Sequence, residues 1–298
     1  MQRILPCFWF DFNADEAAAF YQQVIPRTSS IATLTYPTAG LPVFQKDFAG
    51  QTLAIELDTD GYEWTLWNAG DAFSPNPSFS LILNFDSQTN SKAEHELRTT
   101  WDHLRTNGRI HMPLGEYAFA SLYGWVEDRY GVNWQLLLTD TSETEYEPVI
   151  PCFLFSGDAQ NKTTQAIDLY TDVFEPSSLD YVEHYTERTD LVDETAVMNA
   201  RFRLNNQSFS AMDAWAGAVF SFSPGASLLV KCATQEDIDR LWDSLSADPR
   251  AEQSGWCRDE FGFSWQIVPD CFSSLVQQPD TYAAMVKMKK IELAHLCT

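Results

Sequence analysis

The chain has 298 residues, 45% hydrophobic and 14% aromatic, which suits two domains with ordinary cores. Its formal charge of −23 argues against nucleic acid, whose phosphates need clustered Lys and Arg, and reads first as solubility. No run approaches the roughly 20 apolar residues of a membrane span, and six scattered cysteines without a CxxC pair point to reduced thiols in a cytoplasm.

In chain order, "ILPCFWF" predicts a strand over 5–11 rather than a signal peptide, because no small-residue cleavage site follows it. A helix is expected over 14–24, with Asn13 as N-cap and Asp15 and Glu16 suiting its first turn. Strand-like runs come at 31–36, 43–48, 52–58 and 63–67. The order then restarts with a strand at 78–85 and a helix at 92–106, ended by Asn107 and Gly108. Strands at 109–112, 119–127 and 132–139 complete the set. A strand, a helix and several antiparallel strands, stated twice, predict an α+β fold with helices on one sheet face.

The sequence then repeats itself. "ILPCFWF" returns as "VIPCFLF", Trp101 and Asp102 return as Trp242 and Asp243, and "YGWVEDRYGVNWQ" returns as "SGWCRDEFGFSWQ". Two tandem domains are therefore expected at 1–140 and 149–275, joined by an acidic, proline-closed linker at 141–148. Copy two should carry helices at 164–173 and 235–246, the second with a buried stripe of Ile238, Leu241, Trp242 and Leu245. A C-terminal amphipathic helix at 276–298 has no partner in copy one and is suited to cap the assembly or to pair two chains.

The phrase "GFSWQIVP" and its worn copy "GVNWQLLL" place a glutamine within an apolar strand. Alternation puts Phe263, Trp265 and Ile267 on one face and Ser264, Gln266 and Val268 on the other. The aromatic face should pack under helices, so Gln266, and Gln135 likewise, should look across the opposite side of the sheet. A concave surface with a few polar groups suits a small-ligand pocket, and a glutamine bonded to a neighbouring strand is the alternative.

The phrases "PCFWFDFNADEAAAFYQQVIP", "WDHL" and "GWVEDRYGVNWQ", with their second copies, resemble the PhnB-like branch of the vicinal oxygen chelate superfamily. That group holds glyoxalases, bleomycin-resistance proteins and extradiol dioxygenases. The resemblance covers nearly the whole chain and implies two tandem domains, each of paired βαβββ modules curling into a cup-shaped mixed or antiparallel sheet. It also implies a divalent-ion site in the metal-using relatives, on the first and last strands of each module. Transferred by position, that site falls on Cys7, with Pro6 as the alternative, near Asn68, and on Ser80 and Gln135 in copy one, and on Cys152, Asp213, Ser227 and Gln266 in copy two. Cys, Asn, Ser and Gln make a poor set for a hard cation, and no histidine falls at a ligand position, so no cofactor is expected and a divalent metal is disfavoured.

Asp213 is the one carboxylate among these positions and the candidate general base, with a solvated loop aspartate as the alternative. Cys7 and Cys152 are expected as buried, inert thiols beside Trp9 and Leu154. Trp9, Trp125 and Trp256 are cup-lining candidates, with core packing as the alternative for the last two. The reading that follows is a metal-free protein that binds or sequesters a small organic molecule. A divalent-metal lyase, isomerase or dioxygenase is the alternative, and cups closed by side chains the third. The family is often labelled as a ubiquinone-pathway methyltransferase, a label disfavoured here because the 13 glycines form no GxG pair for a nucleotide-like cofactor. The two copies are expected to pair within one chain, with a homodimer as a further arrangement, and copy two, through Asp213, is expected to keep the more functional pocket.

Overall fold

The computed structural model describes residues 2–140, 146–215 and 220–296. Most of the expected linker, and Cys297, lie outside the described residues. Copy one runs β1 (Ile4–Phe10), α1 (Ala14–Val24), β2 (Thr28–Thr35), β3 (Thr52–Thr59) and β4 (Tyr62–Asn68), then β5 (Phe79–Asp86), α2 (Ala93–Leu104), β6 (Arg109–Tyr117), β7 (Ala120–Glu127) and β8 (Asn133–Thr139). Copy two runs β9 (Val149–Phe155), α3 (Thr163–Val173), β10 (Ser177–His184), β11 (Val197–Leu204) and β12 (Gln207–Asp213), then β13 (Ala226–Cys232), α4 (Gln235–Leu245), β14 (Trp256–Arg258) and β15 (Ser264–Pro269). A tail follows with α5 (Phe272–Leu275) and α6 (Pro279–Met285). The first three modules are βαβββ, and the fourth has one strand fewer. Among the described residues no helix is long and apolar enough to cross a membrane.

The strands form a seven-stranded sheet, β14-β15-β13-β1-β4-β3-β2, and an eight-stranded sheet, β10-β11-β12-β9-β5-β8-β7-β6. Each sheet therefore takes one module from each copy. Antiparallel pairing of β1 with β13 sets Cys7 opposite Ser227, and pairing of β5 with β9 sets Ser80 opposite Cys152. The expected pairing of modules is present, but it is exchanged between the copies.

The two modules of one copy meet through their helices instead. Tyr21 on α1 packs on Trp64 of the seven-stranded sheet and on Trp134 of the eight-stranded one, at ring separations of 5.4 and 5.3 Å. Its hydroxyl donates to Asp128 Oδ2 at 2.8 Å, and Trp134 Nε1 donates to the same oxygen. Asp128 Oδ1 accepts the amides of Tyr130 and Val132. Copy two repeats the arrangement with Tyr170, Trp265 and Asp259, whose Oδ1 accepts from Phe261 and Phe263. These buried carboxylates are satisfied by four donors each and clamp sheet to sheet. The helix-bearing faces thus turn towards each other, and the glutamine faces turn outwards.

Three local expectations need correction. The segment Val43–Phe48 is a 3-10 turn, not a strand, with Val43 and Phe44 81% and 76% exposed; it follows the extended Pro42 and pairs with no sheet. Asn13 stands at the cap of α1, but its side chain makes no capping bond; the Ala14 amide donates to Asn68 Oδ1 instead, at 3.0 Å. The helix expected over 276–298 is broken into α6 and the 3-10 turn Leu293–His295, with the short α5 ahead of it. Between them, the carbonyls of Met288 and Lys289 accept from the amides of Ser254 and Gly255. The tail thereby runs alongside β14, where β6 flanks β7 in the other sheet.

Candidate functional site

Register fixes which side chains share each outward face. In the seven-stranded sheet one row reads Glu56, Thr65, Cys7, Ser227, with Trp67 and Gln266 one step along. In the eight-stranded sheet the matching row reads Arg201, Ser210, Cys152, Ser80, with Met212 and Gln135 one step along. The sequence-derived sets are thus regrouped. Cys7 of copy one meets Ser227 and Gln266 of copy two, and Cys152 of copy two meets Ser80 and Gln135 of copy one.

Asn68 and Asp213 belong to neither face. They pair across the sheet with Phe10 and Phe155 and lie on the helix side. Asn68 caps α1. Asp213 is fully buried and accepts the Val197 amide at 2.7 Å through Oδ2. Burial pushes its pKa up, and the Val197 amide and the groups of Thr163 and Asn161 at the start of α3 pull it back. The cup positions are the preceding residues, Trp67 and Met212. A slip of one residue along a strand exchanges the faces, and the alternation in "WTLWN" and "FSAMD" carried the signal that would have corrected it.

The two glutamines bond within their cups. Gln266 Nε2 donates to Ser227 Oγ at 2.9 Å. Gln135 Nε2 donates to Ser80 Oγ at 2.8 Å, and its Oε1 accepts from the Tyr123 hydroxyl at 2.7 Å. Both thiols are held neutral. Burial pushes Cys7 up to about 12, with the Trp67 and Thr65 side chains acting weakly the other way. Burial also raises Cys152, partly offset by Gln135, Ser210, Arg201 and Ser80. A hard divalent ion asks for charged oxygens or imidazoles. The donors at hand are a neutral thiol, a hydroxyl and an amide, with an indole or a thioether as the fourth group. Among the described residues no three His, Cys, Asp or Glu side chains gather in a metal-holding group. The residues do not fit a divalent ion.

The cups differ in what covers them. Over the seven-stranded sheet the tail lies across the face: Phe272 packs on Trp67 at 6.0 Å and Ser273 Oγ donates to Glu56 Oε1 at 2.7 Å. The cavity left among Leu5, Leu34, Thr65, Trp67, Leu229 and Phe272 is about 10 Å³, room for at most one water. At its rim Trp9, whose Nε1 donates to the Gly70 carbonyl, meets Trp256 edge-on at 6.0 Å. Among the described residues no such tail crosses the eight-stranded face. Its floor is a separate apolar cluster of Ile82, Ile150 and Cys152 with Leu137 and Met212. On one side stand Trp125, in register with Gln135 and bonded to Asn133 Oδ1, and the ring stack of Tyr117, Phe119 and Tyr123. On the other stand Arg201 and Arg203 of β11.

Comparison with known proteins agrees with this architecture. The profile of the family described as 3-demethylubiquinone-9 3-methyltransferase matches twice, over residues 2–137 and 147–268. No curated protein matches the chain. Among solved structures, the PhnB protein of Bacillus cereus is 27% identical over 46% of this chain and 100% of its own, with a TM-score of 0.39. Glyoxalase I of Zea mays is 10% identical and covers 92% of this chain and 95% of its own, with a TM-score of 0.56. A dioxygenase structure from Bacillus subtilis, 11% identical, covers 93% of this chain and 88% of its own at 0.50. The last two show a shared fold. With one match for each copy of the repeat, the chain belongs to the family described as 3-demethylubiquinone-9 3-methyltransferase, in tandem form.

Proposed function

We propose that the protein is a metal-free binding protein for a small organic molecule, and that the cup of the eight-stranded sheet holds it. The observation that carries this reading is the neutral set Cys152, Met212, Ser80 and Gln135, whose amide is spent on Ser80 and Tyr123 rather than aimed at an ion. Around it lie an apolar floor, aromatic rings and a few fixed polar groups, the usual composition of a small-ligand pocket. For the methyl transfer in the family's description, the sequence offers no GxG pair to admit a nucleotide-like cofactor. A cytoplasmic setting accords with buried, unbridged thiols.

The test is elemental analysis and native mass spectrometry of protein purified without chelator. The expected result is metal well below one equivalent and a small organic adduct that is lost on Met212→Trp. One equivalent of Mn, Fe, Ni or Zn that survives dialysis, and that Gln135→Ala removes, would overturn the proposal.

A further inference from the structure

The repeat places Glu56 and Arg201 at the same point of the two cups, one strand beyond Thr65 and Ser210 in the rows that pass through Cys7 and Cys152. Glu56 is covered and accepts the Ser273 hydroxyl. Arg201 is in a different state. Its neighbours on β11, Ala200 and Phe202, are fully buried on the helix side, so its side chain lies on the cup side. Only 21% of that side chain is exposed, and no hydrogen bond links it to another described residue. Its one ion pair among the described residues, with Glu147 Oε2, is 3.9 Å long, and that carboxylate also serves Arg203 at 3.6 Å and the Ser208 hydroxyl at 2.6 Å. Arg203 has Asp180 as a second partner at 3.4 Å. A guanidinium presents five N–H donors in a planar fork matched to a carboxylate, and burial without hydrogen bonds is costly.

Resting on the metal-free cup as the binding site, we propose that its ligand is a small aromatic carboxylate, with the carboxylate on Arg201 and the ring over the apolar floor towards Tyr123 and Trp125. The fork supplies the donors that its own surroundings leave unused. The floor of Ile82, Ile150, Leu137 and Met212 supplies apolar contact, and the ring stack gives a planar group its edge and face partners.

Isothermal titration with benzoate and with neutral benzamide tests this. Wild type should bind benzoate at least tenfold more tightly than benzamide. Arg201→Gln should bring benzoate down to the benzamide level, Arg201→Lys should restore part of the preference, and Glu56→Gln should leave it unchanged. Arg201→Gln should keep its Tm within about 2 °C of wild type, since no hydrogen bond is lost. Equal binding of the two probes by wild type, or a benzoate preference that survives Arg201→Gln, overturns the carboxylate assignment while the cup remains a binding site. Failure of both probes also overturns it, and the adduct seen by native mass spectrometry then decides the cup reading separately.

Discussion

The two cups were written from one template and have been finished in opposite ways. Both have a thiol, a serine and a glutamine at the same register positions, and in both the amide bonds the serine. One has then been covered by a tail that leaves about 10 Å³ and satisfies its acid. The other has no tail across it among the described residues and holds a guanidinium whose one described ion pair is 3.9 Å long. The sheet and its polar pair are therefore common scaffold, and the two faces differ in the residues one strand out and in what lies over them.

The comparison breaks most visibly if the tail is removed. Truncation after Cys271 strips the burial of Leu275, Val276, Tyr282, Met285 and Ile291, each no more than 7% exposed. At about 1.5–3 kcal/mol per fully buried side chain, stability in urea should fall by roughly 5 kcal/mol or more. Benzoate binding in the other cup should persist under native conditions. An unchanged urea midpoint would mean that the tail only rests on the sheet.

A middle-sized effect tests whether the two copies are clamped alike. Tyr21→Phe and Tyr170→Phe each remove one hydrogen bond to a buried carboxylate and should each cost about 2 kcal/mol. Asp128 adds a pH signature. Burial pushes its pKa up to about 6, with Trp134 and Tyr21 acting the other way. The folded protein thus holds a proton that the unfolded chain gives up near its ordinary value of 3.8, and stability from this group is lost as pH rises from about 4 to about 6. Two pKa units correspond to about 3 kcal/mol. Tyr21→Phe should extend that decline to higher pH. A flat profile of stability against pH across this range would rule out the raised carboxyl.

The smallest effect sharpens the comparison at the glutamines themselves. Gln135→Leu leaves two groups without their partner, the Tyr123 hydroxyl and Ser80, whereas Gln266→Leu leaves only Ser227. The first should be worse by about 1 kcal/mol in chemical denaturation. Equal costs would show that the Tyr123 bond contributes nothing net.

Much of the fold was legible because the repeat and the local patterns agree. The helix at Ala14–Val24 was bounded to the residue, and the aromatic face of "GFSWQIVP" lies under helices as alternation requires. The exchange of modules was not legible. Pairing β1 with β5 or with β13 satisfies the same edge hydrogen bonds, and no sequence pattern distinguishes them. Within the site, Cys7, Cys152, Ser80, Ser227 and both glutamines were placed on the right strands. Asn68 and Asp213 lie one residue off the cup-facing positions because motif transfer, not the strand period, chose them. Arg201 and Glu56 were overlooked because their importance comes from neighbours two strands away, which a linear reading does not bring together.

The crossing of modules between sheets has one further consequence. Were the same architecture built from two separate identical chains, each hollow would receive the same two halves, and any change made to one would appear in the other. Its survival would also depend on protein concentration. Joining the halves in a single polypeptide removes both constraints. One hollow is free to be sealed as ballast for the fold while its twin is free to specialise, and the acid and the base at matching points are the mark of that freedom.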